Sequence, residues 1–181
     1  MVFADGAVRP STITIWTAGF GVPELAVRSG LHTDALGRLL TDETLTSVDD
    51  DRIVAAGDSA SPSGRPRRMS CYTALPMGAH AADTVLSRIT CTQPAPLDLA
   101  FVGSCVSLGR RAAVAHFTRK DDTPVNFYVG GRVGASIKQA GTKGTVRDIR
   151  REARKPGSTF WLKGGKRPTQ PPFEQDLFTR P

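Results

Sequence analysis

The stretch RIVAAGDSA, residues 52–60, decides how the chain is read. Ile53, Val54, Ala55 and Ala56 form a short apolar run of the kind that fills a buried strand. The run then stops on Gly57 and on a carboxylate, Asp58. An acid at the end of a core strand has two ordinary uses. It caps the turn that follows, or it faces the crevice outside the sheet, where open α/β sheets bind ligands and where it accepts hydrogen bonds from a hydroxyl. Gly57 in front of it lets the backbone come close to a flat or bulky ligand.

Upstream, TITIWT (12–17) alternates like a strand, and AGFG (18–21) ends it in a turn. VPELAVRSG (22–30) predicts a short helix, with Pro23 in its first turn and Gly30 as its stop. GRLLTDETLT (37–46) fits a strand, a turn at Asp42-Glu43 and a second short strand. Downstream, SASPSGRPRR (59–68) is a loop whose Arg65, Arg67 and Arg68 either form a solvated face or neutralise an anionic partner. A helix follows over about 70–89, with Met77, Ala81, Val85 and Ile89 on one face and a bend expected at Pro76.

TCTQPAP (90–96) breaks the chain. Beyond it LAFVGSCVSLG (99–109), RRAAVAHF (110–117) and VNFYVGG (125–131) are strand-like, and a helix is expected over about 132–154. Its first half carries Gly134, Gly141 and Gly144 near Ile137 and Ala140, and Val146, Ile149 and Ala153 give its second half a face to bury. Pro156-Gly157 ends it. The organisation expected is a segment 1–20, a region 21–93, a region 94–158 of strands and basic helix, and a flexible tail 159–181.

The composition is that of a globular, loop-rich chain: 181 residues, 39% hydrophobic, with 18 Gly. Met1–Pro10 has neither a basic nor an apolar leader pattern, and no apolar run reaches the roughly 20 residues of a spanning helix, so the expected location is cytoplasmic, peripheral to the inner face of the membrane at most. Cys71, Cys91 and Cys105 are odd in number and lack CxxC spacing; they read as buried thiols. His32, His80 and His116 stand apart, so no metal site is expected. The net charge of +7 is concentrated: residues 141–167 hold nine Lys or Arg against Asp148 and Glu152, and the rest of the chain balances.

Thr46, six residues, four apolar residues, then Gly57 and Asp58 make a pattern that resembles the second flavin-binding fingerprint of the two-dinucleotide-fold flavoproteins. ITIWTAGFG (13–21), LLTDETLTSVDDDRIVAAGDSA (39–60), SCYTALPMGAHAADTVL (70–86) and LAFVGSCVSLGRRAAVAHF (99–117) follow in the order found in the C-terminal part of FAD-dependent pyridine nucleotide-disulfide oxidoreductases, in the branch of type II NADH dehydrogenases. The resemblance covers about residues 10–118. It implies an α/β fold, namely the second half of an FAD-binding domain followed by a C-terminal α+β region.

The resemblance also implies a site. Asp58 would bond a ribityl hydroxyl of FAD, Gly57 would permit close approach, and Thr73, Ala74 and Leu75 would present backbone N–H groups to the pyrimidine edge of the flavin. Ala18 and Gly19 would shape the pocket. Electrons would pass from NAD(P)H through FAD to a quinone or another acceptor, and no catalytic residue is assigned. Neither GxGxxG pyrophosphate cradle of the family is in the chain. VGGRVGAS (129–136) has the wrong spacing and reads as a tight turn into the last helix. The chain thus reads as a C-terminal fragment, inactive by itself, whose partners would be FAD and an N-terminal half or a second copy.

The alternative is a non-catalytic folded remnant or interaction module whose basic helix meets nucleic acid or an anionic surface. No recognition-helix motif, aromatic platform or zinc pattern accompanies that helix, so nucleic acid is not the expected partner, and the tail lacks the sustained apolar stripe of a membrane-docking segment.

Overall fold

In the computed structural model, residues 3, 5–15 and 19–165 are described. They fall into two compact units, one ending at Gly21 and one beginning at Val22. In the first, Phe3 and Ala7 close a turn around Gly6, and the Ser11 hydroxyl donates to the Ile13 carbonyl at 2.8 Å. Thr12–Ile15, expected as a strand, is irregular backbone; the rest of that stretch, Trp16 and Thr17, lies outside the described residues.

The second unit is mixed α/β, with one parallel and one antiparallel sheet. A single-turn helix, α1 (Leu25–Arg28), ends toward Gly30 at φ +71°, where the left-handed backbone suits glycine. Strand β1 (Leu39–Thr41) pairs in parallel with β2 (Ala60–Pro62), Leu39 opposite Ala60. Between them Asp42 organises a turn: its Oδ1 accepts from the N–H groups of Thr44 (2.8 Å) and Thr46 (3.0 Å).

The apolar run 53–56 lies one step before the strand of the parallel pair. Val54 forms an isolated antiparallel bridge with Thr46, and Ala55 donates to Leu45 O at 3.0 Å. A 3-10 turn, Gly57–Ser59, then hands the chain to β2. The acid therefore sits at the entrance to the paired strand.

Helix α2 (Cys71–Ile89) follows. Its buried face is Thr73, Pro76, Met77, His80, Ala81 and Thr84. Of the face expected from spacing, Met77 and Ala81 are buried, whereas Val85 and Ile89 are 39% and 72% exposed: a strict spacing of four drifts around a helix of 3.6 residues per turn, and the buried stripe follows Thr73, Met77, His80 and Thr84 instead.

Strands β3 (Gly103–Ser107), β4 (Ala113–Thr118) and β5 (Pro124–Val129) form an antiparallel meander, with a register irregularity between His116 and Thr118. Helix α3 (Gly131–Arg154) packs on it through Gly134 and Ala135. Val146 and Ile149, expected to be buried, are 45% and 52% exposed, since this part of α3 has no sheet beneath it.

One core joins both sides of the break at 90–96. Leu45, Ala60, Met77 and Ala81 pack with Leu97, Leu99 and Phe101. The start of the expected tail lies against the same core: Trp161 packs on it, Ala100 donates to Leu162 O at 2.8 Å, and the Trp161 indole N–H donates to Asp98 O at 2.9 Å. The three cysteines, expected to be buried, are exposed: Cys71 begins α2, Cys91 lies in the turn after it and Cys105 is on edge strand β3.

Candidate functional site

The features that single out residues 57–58 arise from a short-range conflict. To leave the extended run and enter β2, the chain turns at Gly57 with φ +71°, a conformation that costs L side chains. A Cβ there would lie 3.2 Å from the Ala74 Cβ, so the turn presses directly on the first turns of α2. Asp58 follows and is exposed.

Its Oδ1 accepts the Ser70 backbone N–H at 3.1 Å. Ser70 is the N-cap of α2: its Oγ accepts the Thr73 N–H at 3.2 Å, and its carbonyl accepts the Ala74 N–H at 2.9 Å. The carboxylate therefore stands beside the positive end of a 19-residue helix, where negative charge is favoured.

This arrangement corrects the expected donors. Thr73 and Ala74 already give their N–H groups to Ser70, and Leu75, fifth in the helix, lies beyond the first turn, where each N–H is taken by the carbonyl four residues back. The first-turn N–H groups with no partner among the described residues are those of Cys71 and Tyr72. Gly57, Asp58, Thr73 and Ala74 are brought together. Gly19 is exposed in the first unit, and Ala18 lies outside the described residues.

At its other end the fingerprint is structural. Thr46 is 5% exposed; its Oγ1 accepts from the Arg88 guanidinium near the end of α2, and Thr84 Oγ1 donates to Thr44 O at 2.7 Å. Thr46 thus ties the 42–46 turn to the far half of the helix whose start holds Asp58.

The arginine loop is partly structural as well. Arg68 lies with its guanidinium carbon 5.0 Å from the centre of the Phe101 ring, reaches Asp122 at 3.2 Å and donates to Gly103 O at 2.9 Å. It clamps the loop before α2 to the antiparallel sheet. Arg65 is exposed. Tyr72, half-buried against Phe101, has its phenol pushed above its ordinary value by burial, with Arg68 opposing.

His80 is buried and its Nε2 bonds Ala95 O at 3.0 Å; burial holds its imidazole below its ordinary value, as expected of a structural histidine. His32 does not stand alone: its Nδ1 bonds Asp49 Oδ1, and its N–H donates to Asp49 Oδ2 at 2.8 Å. The partners are seventeen residues apart, and no short-range pattern announces the pair. Among the described residues no three His, Cys, Asp or Glu side chains cluster as metal ligands would, and no helix is long and apolar enough to cross a membrane.

Fold and site define a mixed α/β chain with an exposed carboxylate set at the start of a long helix. No protein-family model matches the sequence, and no curated protein matches it.

Proposed function

We propose that residues 57–72 form one wall of a flavin site in an NAD(P)H-dependent oxidoreductase of the pyridine nucleotide-disulfide type. The observation that carries this reading is the placement of Asp58. One carboxylate oxygen is committed to Ser70, which fixes the side chain, while the side chain stays exposed and can accept a ribityl hydroxyl. The residues present fit the group at this end. Gly57 supplies the left-handed backbone that brings Asp58 to the start of α2, and the Cys71 and Tyr72 N–H groups, in place of those expected at 73–75, are unspent at the helix start as donors for an anionic or carbonyl edge.

Bound FAD would supply the hydride-accepting and electron-passing chemistry, between NAD(P)H and a quinone or another acceptor. The chain itself would hold the sugar-like arm through Asp58, orient the ring edge through the first turn of α2 and stabilise negative charge there through the helix dipole. Both pyrophosphate cradles would have to come from another chain or segment.

The test is FAD uptake by the purified chain, read as flavin absorbance after desalting and as quenching of flavin fluorescence. Retention of FAD that Asp58→Ala weakens by about tenfold, the worth of one charge-assisted hydrogen bond, supports the reading. No uptake, or uptake indifferent to Asp58→Ala, overturns it.

A further inference from the structure

We propose that the outer half of α3 is a docking surface for the phosphate backbone of a double-stranded nucleic acid. Lys143, Arg147, Arg150 and Arg154 recur at spacings of four, three and four, so they share one side of the helix over about 16 Å. All four are exposed, as is Lys155 beyond them. None of these five pairs with a carboxylate among the described residues.

The two acids of the segment are occupied elsewhere. Asp148 lies 3.4 Å from Arg151, and Glu152 accepts four hydrogen bonds from the turn behind the helix, among them those from the N–H groups of Gly157 and Thr159, each at 2.6 Å. The fold thus directs both acids to partners outside the row and leaves its cations without carboxylate partners among the described residues, a surface complementary to a polyanion.

The chemistry of the neighbouring side chains selects the partner. Helices that lie in a bilayer surface carry Trp, Phe or Leu on their apolar side; here the residues flanking the basic row are Val146, Ile149 and Ala153. Single strands are gripped by bases stacking on aromatic rings, and no aromatic side chain lines the groove along Lys143–Lys155. A duplex needs only a row of cations at phosphate distance, and its charge density, about one per 1.7 Å, is the highest of the three. This surface shares no residue with 57–72 and does not depend on the flavin reading, since duplex binding and FAD retention are read separately.

The experiment is fluorescence anisotropy of the full chain with a labelled duplex of about 20 base pairs, titrated between about 50 and 200 mM salt. Four to five phosphate contacts give a log–log salt slope of about −4 and an affinity loss of roughly 150- to 500-fold over that range. Arg147→Glu/Arg150→Glu should weaken binding at least about tenfold at the lower salt, and Arg147→Gln/Arg150→Gln less but in the same direction, with helix content unchanged by circular dichroism. Arg28→Glu/Arg65→Glu makes the same change in net charge at exposed sites elsewhere and should stay within about twofold. Absence of duplex binding at the lower salt, a slope shallower than about −2, or equal loss in the Arg28/Arg65 variant overturns the proposal. So does sedimentation with phosphatidylserine-containing vesicles by a chain that leaves the duplex unbound.

Discussion

Asp58 and Ser70 are joined across twelve residues by a 3.1 Å hydrogen bond from the Ser70 N–H to the Asp58 carboxylate. Ser70 is at the same time the cap of α2, through its Oγ to Thr73. Acid and cap form one unit, and the unit separates two effects by mutation. Ser70→Ala keeps the backbone N–H that Asp58 uses and loses only the Oγ acceptor, so it should cost about 1 kcal/mol, whereas Ser70→Gly should cost a few tenths. Urea unfolding checks both; equal costs would show that the hydroxyl does not cap.

Gly57→Ala meets two penalties. The backbone at φ +71° costs an L residue about 1–2 kcal/mol, and the new methyl would sit 3.2 Å from the Ala74 Cβ. Gly30 has the same φ, +71°, with open space around it, so Gly30→Ala isolates the backbone cost. The expected order in urea midpoint is wild type, then Gly30→Ala, then Gly57→Ala.

Gly134 and Gly141 lie seven residues apart on one helix and should respond in opposite directions. A Cβ at Gly134 would fall 2.3 Å from Ala113 O and 2.7 Å from Val129 O, both backbone, so Gly134→Ala must push α3 off the sheet. At Gly141 nothing lies within 4 Å, and Gly141→Ala should stabilise by about 0.8–1 kcal/mol through helix propensity. Thermal unfolding of the two variants tests the contrast.

The His32–Asp49 pair predicts a stability dependence near neutral pH. The Asp49 hydrogen bond, and then its charge, raise the His32 imidazole above its ordinary 6.5. The protonated pair therefore contributes fully below pH 6.5, and its contribution fades as pH rises through the higher folded value. The difference in urea midpoint between wild type and His32→Gln should shrink from pH 5.5 to 8.5. A constant difference would refute the linkage.

Glu152 works in the other direction. Hydrogen bonds from the Thr159 side chain and the Gly157 N–H, the largest contributors, hold its carboxyl down to about 2 from 4.5. Its contribution is present above pH 4.5 and is lost as pH falls toward 2. Amide hydrogen exchange at Gly157 and Thr159, corrected for the intrinsic pH dependence, should accelerate over that window in the wild type and show no such window in Glu152→Gln.

The parts of the molecule that are local in origin were legible in the residues. Ser70 followed by a run free of Gly until position 78, and Gly130-Gly131 before a long polar stretch, mark the starts of α2 and α3. The three strand-like pieces after residue 98 each give a strand, β3, β4 and β5. Strand pairing was less legible. Ile53–Ala56 has the composition of a core strand, but the parallel partner of β1 is Ala60–Pro62, because β1 and the turn at Gly57 set which residues come alongside. The pattern of apolar spacing likewise placed Val85, Val146 and Ile149 inside, although all three are exposed; at Val85 the buried stripe of the helix passes through its neighbour Thr84 instead.

By itself the sequence determined where the helices begin and end, where the chain turns, the Thr46-to-Asp58 pattern and the concentration of positive charge after residue 141. Those properties depend on backbone preference, capping and composition, which act over a few residues. Only the tertiary structure decided that Asp58 meets Ser70, that Thr73 and Ala74 spend their N–H groups on the cap, that His32 meets Asp49, and that Glu152 turns away from the basic row. Each of these is a choice of hydrogen-bond or charge partner, and the partner is set by which surfaces the packing brings within about 3 Å.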